Sequence, residues 1–238
     1  MDIEDKTLKD ASKLLRDNGI NFWACHGTLL GIIRENRLLP WDRDIDLAVW
    51  DHENDKEQVA KIFESKGYQK ELFYADIDRP QGLHFITEGK NLDINFFKKS
   101  ESMSSWQGAV VMEGFLNKLI IHIAHILFIK DVRKIKLPVS RIKVFFYLLF
   151  SGLLFLGRIV LPNSFKRKIH QSALKRFSYF GYSYPTELLV FKEIEYKGMT
   201  LQVPINSEKY LETTYGLDWK TPKKDYIWYE DASNLKRG

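Results

Sequence analysis

His26-Gly27-Thr28-Leu29-Leu30-Gly31-Ile32-Ile33-Arg34-Glu35-Asn36-Arg37-Leu38-Leu39-Pro40-Trp41-Asp42-Arg43-Asp44-Ile45-Asp46-Leu47 is the stretch on which the fold of this chain turns. Its end sets Asp44 and Asp46 in alternation with Ile45 and Leu47, followed by Ala48 and Val49. Alternation of that kind is read as a strand with one buried face. Residues two apart on a strand point the same way, so both carboxylates are expected on one face. Two anions held side by side repel unless a positive charge sits between them. Mg²⁺, or Mn²⁺ in its place, suits such a pair, because it takes carboxylate oxygens and shares its shell with phosphates.

An Asp-x-Asp pair alone is common and is more often a solvated loop or a cap than a catalytic site. Three neighbours strengthen this one. Gly27 and Thr28 follow the apolar strand Phe22-Trp23-Ala24-Cys25 and offer a backbone able to approach a phosphate, with a hydroxyl beside it. Helix-like Leu29 to Glu35 comes next, with free N–H groups at its start that suit an anion near Thr28. A third carboxylate, Asp93, lies in a second alternating strand, Asn91-Leu92-Asp93-Ile94-Asn95-Phe96-Phe97. Strand with Gly-Thr, then Asp-x-Asp, then one further strand aspartate resembles the ground plan of nucleotidyltransferase-fold enzymes.

The resemblance extends to a particular family. His26-Gly27-Thr28-Leu29-Leu30-Gly31, Leu39-Pro40-Trp41-Asp42 and Asp44-Ile45-Asp46 together resemble the signature of the LicD family. That family includes bacterial phosphocholine transferases and the fukutin-type ribitol-phosphate transferases of animals. Val203-Pro204, Tyr210-Leu211, Tyr215-Gly216, Trp219 and Pro222 form a second match near the C-terminus. The family pattern usually reads Asp-Asp-Asp-Ile-Asp; Arg43 replaces the middle acid here and is expected to face away from Asp44 and Asp46. The resemblance implies an α+β, nucleotidyltransferase-like mixed sheet flanked by helices. It implies transfer of phosphocholine or an alditol phosphate from a CDP-linked small-molecule donor to a hydroxyl of a glycan or glycolipid at the cell surface.

In that scheme Asp44, Asp46 and Asp93 are the expected metal ligands, and Asp93 is also the expected base for the acceptor hydroxyl. Gly27 and Thr28 are expected on the donor phosphates. Arg34 and Asp42 are candidate donor contacts, with a surface or capping role as the alternative. His84 either faces the site or fills the sheet. Tyr215, Trp219, Tyr226, Trp228 and Tyr229 either stack on a sugar or choline or pack among themselves. Two other functions compete: nucleotidyl transfer with release of pyrophosphate, and a catalytically inactive membrane-associated scaffold. Retention of three mutually repelling aspartates speaks against the scaffold.

At 238 residues, 45% hydrophobic and 28% charged, the chain is globular in composition and is expected to form one catalytic domain over 1–238. The single cysteine, Cys25, excludes an internal disulfide and, in its apolar strand, is read as core rather than nucleophile. The start, Met1-Asp2-Ile3-Glu4-Asp5-Lys6, is polar and acidic and does not read as a signal peptide, so a reducing, cytoplasmic setting is expected.

Net charge is +5, but its distribution matters more. Residues 131–176 hold eleven Lys or Arg and one acid, a local charge of +10 that leaves −5 for the remainder. That block lacks the interleaved aromatic platform of single-strand binders, which argues against nucleic acid as a partner. It contains Val144 to Gly157, fourteen residues without a charge. This is short of the roughly twenty that a spanning helix needs. A single span would also put the aspartates and the Tyr215-Gly216 motif on opposite sides of a membrane. The expectation is a basic, hydrophobic helical insert over 131–176 whose segment 144–162 lies interfacial or re-entrant on an anionic membrane surface; a core helix and a span are the alternatives. The protein is then attached peripherally or monotopically to the inner face of the cell membrane.

Around these landmarks, helices are expected at 5–18, 54–65 and 115–130, the first two closed by Gly19 and Gly67. Strands are expected at 21–25, 45–50, 69–74, 83–87 and 92–97. His122 and His125 in the third helix are read as core or interfacial rather than ligands. A hairpin is expected with Lys197-Gly198 at its turn, and a short helix from Ser207 to Gly216.

Overall fold

The computed structural model describes residues 3–71, 82–128, 156–157 and 159–237. The chain divides into two compact units. The first comprises Met1–Glu71, Pro80–Gly108 and Tyr179–Gly238; the second comprises Leu72–Arg79 and Ala109–Ser178.

The first unit is built on a five-stranded mixed sheet flanked by helices, the α+β arrangement the sequence implied. Helix α1 (Ile3–Asp17) buries Leu8, Ala11 and Leu15 completely, and Gly19 at φ +70° lets the chain leave it, as expected. Strand β1 (Trp23–Ala24) is shorter than the reading of 21–25. Helix α2 (His26–Glu35) follows it, beginning three residues earlier than Leu29. Then come β2 (Asp44–Trp50), α3 (Lys56–Glu64), β3 (Gln69–Glu71), β4 (Gly82–Ile86) and β5 (Asn91–Phe97). The order across the sheet is β1-β2-β5-β4-β3. β2 and β5 run parallel, and the other pairs are antiparallel.

Parallel pairing fixes which side chains become neighbours. Asp44 stands opposite Asn91, Asp46 opposite Asp93 and Ala48 opposite Asn95. Along β2, Ile45 and Leu47 are fully buried while Asp44 and Asp46 are partly exposed, so one face makes core and the other presents carboxylates. The core includes Phe63, Phe85 and Ile94, and Trp23 and Phe97 on the face of the acids, beyond them along the sheet.

Strands β6 (Met103–Val111) and β7 (Phe177–Pro185) lie outside the strands read from the sequence, and both run from one unit into the other. Within the first unit β7 pairs with β10 (Leu235–Arg237), and the backbone of Gly181 lies so close to Trp106 that a Cβ there would meet the Trp106 carbonyl oxygen at 2.4 Å. The expected hairpin is present as β8 (Phe191–Tyr196) and β9 (Met199–Pro204). Its two turn residues, Lys197 and Gly198, both have positive φ, 47° and 77°, as a type I′ turn requires. Buried Asp5 of α1 accepts hydrogen bonds from Tyr196 Oη and Lys197 Nζ at 3.1 and 2.6 Å, tying that hairpin to the N-terminal helix. Helix α6 (Ser207–Tyr215) is capped by the Asn206 side chain, which accepts from the Lys209 amide, rather than by Ser207.

The second unit contains α4 (Phe115–Phe128) and α5 (Asn163–Leu174), which pack on each other through Ile121, Ala124 and Ala173, with Ile120, Ile169, Leu174 and Phe177 around them. Residues 131–155 and 158 of the expected insert, and the side chains of His122 and His125, lie outside the described residues. Among the described residues no helix is long and apolar enough to cross a membrane.

Candidate functional site

The β2–β5 register brings the sequence-predicted acids together. Asp44, Asp46 and Asp93 share the open face of adjacent parallel strands, and His84 of β4 stands opposite Asp93 on the other side. His84 Nδ1 meets Asp93 Oδ1 at 2.9 Å, so His84 faces the site. Asn91 and Asn95 border the acids: their Nδ2 atoms donate to Asp44 Oδ1 at 3.3 Å and Asp46 Oδ1 at 3.4 Å.

Asp42 joins this group. Its carboxylate lies over Gly27: a Cβ there would sit 1.9 Å from Asp42 Oδ2 and 3.7 Å from Asp46 Oδ2. That fit explains why residue 27 has no side chain. The loop before Asp42 is held by buried Lys90, whose ammonium donates to the Leu39 carbonyl at 2.9 Å and to the Asp42 carbonyl. The Asp42 side chain in turn accepts from the Asp44 amide at 3.3 Å. Arg43 is exposed and contributes its carbonyl to the Asn91 amide, consistent with facing away from the acids.

Crowding shows in the protonation of these groups. Burial, then repulsion from Asp93 and Asp42, pushes the Asp44 carboxyl up to about 6. Asp46 is raised well above the usual carboxylate range by burial and by Asp42, Asp93 and Asp44. Asp42 is raised chiefly by burial. Among the described residues no group of three or more His, Cys, Asp or Glu side chains is placed so that it could hold a metal ion. The chemistry of the set nevertheless fits a hard divalent cation: several carboxylates, desolvated and mutually repelling, have most to gain from one.

Thr28 and Arg34 each make contacts within the protein. Thr28 is 2% exposed, and its hydroxyl oxygen accepts from the Asp46 amide at 2.8 Å, fastening α2 to β2 beside the acids. Arg34 donates to Glu35 Oε1 through Nε and Nη2, and to the Trp219 carbonyl through Nη1 at 3.1 Å. It joins α2 to the segment after α6. Helix α2 has Cys25 at its N-cap with no side-chain cap, which suits anion binding by its first-turn amides. Cys25 itself is buried, as expected of a core residue.

His26 was not singled out by the sequence. It opens α2 at φ 45°, an uncommon conformation for a side chain other than glycine. Its ring packs against Phe97, Trp106 and Tyr182 with centroids 5.0–6.0 Å away. Burial holds its pKa at about 3, so it is neutral, and neither ring nitrogen has a hydrogen-bond partner among the described residues. Its place in the His-Gly-Thr motif was the only available signal.

The C-terminal aromatics form packed pairs. Trp228 meets Trp106, Phe180, Tyr182 and Tyr229, and Tyr215 meets Tyr226 at 4.9 Å. Trp219 is buried. Tyr215 and Tyr182 lie within electrostatic reach of Asp46, which adds to the upward push of burial on both phenols.

With this geometry in view, residues 19–153 match the family described as LicD/FKTN/FKRP, nucleotidyltransferase domain, over more than half of the chain. The chain belongs to the LicD family. Among similar curated proteins, the ribitol-5-phosphate transferase FKTN of Mus musculus is 32% identical over 104 residues, covering 42% of this chain and 22% of that protein. FKTN of Homo sapiens is 21% identical over 232 residues, covering 96% of this chain and 36% of that protein. The uncharacterized protein RP689 of Rickettsia prowazekii (strain Madrid E) is 38% identical over 63 residues, 26% of this chain and 23% of that protein. This LicD chain thus spans little more than a third, at most, of the length of the curated relatives it matches.

Proposed function

We propose that this chain is a metal-dependent phosphotransferase. It moves a phospho-group, phosphocholine or an alditol phosphate, from a CDP-activated donor to a hydroxyl of a glycan or glycolipid. The observation that carries the reading is the gathering of Asp44, Asp46 and Asp93 on one sheet face, with Asp42 of the preceding loop over Gly27 at the start of α2. Burial among these charges raises Asp42, Asp44 and Asp46 above the ordinary carboxylate range, a cost that a cation among them would offset.

Asp44, Asp46 and Asp93 would hold Mg²⁺ or Mn²⁺. Bound there, the ion would offset charge on the donor diphosphate and on the leaving nucleotide. The chain's own residues supply the rest. The first-turn amides of α2 near Gly27 suit a donor phosphate, while Thr28 keeps β2 in place beneath it. Asp93 accepts the proton of the attacking hydroxyl, and His84 fixes its carboxylate through the 2.9 Å contact. The CDP moiety and the phospho-alditol or phosphocholine group are drawn from the resemblance and from the activity in the FKTN name.

The test is product analysis with purified protein, Mg²⁺, and CDP-ribitol, CDP-glycerol or CDP-choline supplied with glycan acceptors. Release of CMP with a phosphodiester on the acceptor supports the reading. Release of pyrophosphate from a nucleoside triphosphate would establish nucleotidyl transfer instead. Absence of turnover with every donor, alongside intact folding, would leave the scaffold.

A further inference from the structure

The second unit carries a surface that the reading above does not use. Leu156, Ile159, Val160 and Phe165 fall within ten consecutive positions and are 57, 79, 78 and 50% exposed. Isolated apolar side chains at a surface are ordinary, but several of this size gathered beside charge mark a place of contact. Pro162 then starts α5, whose first two turns carry Lys166, Arg167 and Lys168. A cavity of about 430 Å³ lies at the same end of the helix, lined by Leu127, Asn163, Lys166, Arg167 and His170. From Leu156 to Arg176 the sequence holds six Lys or Arg and no Asp or Glu.

We propose that this face docks on an anionic lipid bilayer, with Leu156, Ile159, Val160 and Phe165 entering the acyl boundary and Lys166, Arg167 and Lys168 meeting the headgroup phosphates. Three arguments choose this occupant. Exposed apolar groups beside a purely basic strip match the two layers of a bilayer interface, and the anionic cytoplasmic leaflet supplies the complementary charge. A nucleic acid would use the basic strip, but Phe165 is the one aromatic among the four exposed apolar side chains, and Leu, Ile and Val offer a base nothing to stack on. A second copy of the chain, meeting this face with the same face, would bring like charge against like charge. The proposal is independent of the catalytic reading.

The experiment is flotation of the full chain with phosphatidylcholine vesicles, with and without phosphatidylserine. Binding is expected to the anionic vesicles and much less to the neutral ones. Added salt weakens it without releasing all the protein. Combined Ile159→Ser, Val160→Ser and Phe165→Ser should reduce partitioning by roughly 10³, about tenfold for each apolar side chain withdrawn. Arg167→Glu with Lys168→Glu should reduce it by at least about tenfold. All five positions are exposed, so circular dichroism should be unchanged. Activity on a soluble acceptor, once found, should be retained as well. Wild-type binding by the serine variant would overturn the proposal, and so would equal binding to both vesicle types. Failure to bind either vesicle, with a dimer in sedimentation that the same substitutions break, would assign the face to self-association instead.

Discussion

Asp46 and Asp93 stand directly opposite each other across the parallel β2–β5 ladder, and the other edge of Asp93 is met by His84. Two carboxylates in that relation are an electrostatic cost to the fold, so removing either charge should relieve the sheet while damaging the chemistry. Asp44→Asn and Asp46→Asn should each lower turnover by roughly 10² or more, with melting temperature unchanged or higher. EDTA should abolish wild-type activity, and Mg²⁺ or Mn²⁺ should restore it. Turnover within a few-fold of wild type in either variant would sink the assignment of the pair.

Asp93 differs from its neighbours in having His84 as a partner. If it takes the acceptor proton, Asp93→Asn should still bind donor with Mg²⁺ but fail to turn over. His84→Ala should keep the carboxylate yet lose its orientation, lowering turnover by a smaller factor, on the order of tenfold. Calorimetry with the CDP donor, run beside rate measurements, separates the roles. Equal loss of donor binding in the Asp44, Asp46 and Asp93 variants would leave Asp93 as a ligand only.

Gly27 is the tightest packing point of the site. A methyl group there would lie 1.9 Å from Asp42 Oδ2, so Gly27→Ala must displace that carboxylate or shift α2. Activity should fall at least about tenfold, with thermal stability lowered as well. Asp42→Ala in the same chain should restore part of that stability, because the two positions share one contact. Strict additivity in this double-mutant cycle would mean that the close approach is unimportant.

Arg34 behaves in the fold as a tie between α2 and the segment after α6, its bonds going to Glu35 and to the Trp219 carbonyl. Arg34→Ala should therefore lower the melting temperature, removing the donor to the Trp219 carbonyl and leaving Glu35 with Arg37 alone, at a cost of about 1–3 kcal/mol. The KM for the donor should change only a few-fold. A large rise in KM at unaltered stability would return Arg34 to the donor.

What the sequence made legible follows from periodicity. Alternation in 44–49 and 91–97 marked β2 and β5, and one face for Asp44 and Asp46; their parallel pairing then brought Asp93 alongside. The Lys197-Gly198 turn and the Gly19 helix end were equally plain, because few residues accept positive φ. Strands β6 and β7 were missed: their Ser and Gly positions blur the alternation, and only pairing with other strands makes them regular. The internal partners of Thr28 and Arg34 were not legible for a different reason. A hydroxyl or guanidinium beside a phosphate motif has the same spacing whether it meets a ligand or the protein's own backbone. His26 stood in the signature motif, but its burial and left-handed backbone leave no mark in the residue name.

Protonation of Asp44 gives a last and separate check, free of any donor or acceptor. Its carboxyl sits at about 6 in the fold against 3.8 for an ordinary aspartate. Between those values the native state holds more proton than the unfolded chain, so the contribution of this group falls as pH rises through the window and stays lowered above it. Other carboxylates in ion pairs act in the opposite direction, so the comparison must be made against Asp44→Asn, which differs only at this group. The variant should gain melting temperature on wild type as pH is raised from about 4 to about 7, by roughly 2–4 °C for each kcal/mol of relieved repulsion. Added Mg²⁺ should stabilise wild type above that window and shrink or reverse the gap, because only wild type keeps the full set of carboxylates. A gap that stays constant from acid to neutral pH would mean that Asp44 is not under the strain its neighbours impose. A gap that grows with pH but ignores Mg²⁺ and Mn²⁺ would keep the crowding and discard the cation.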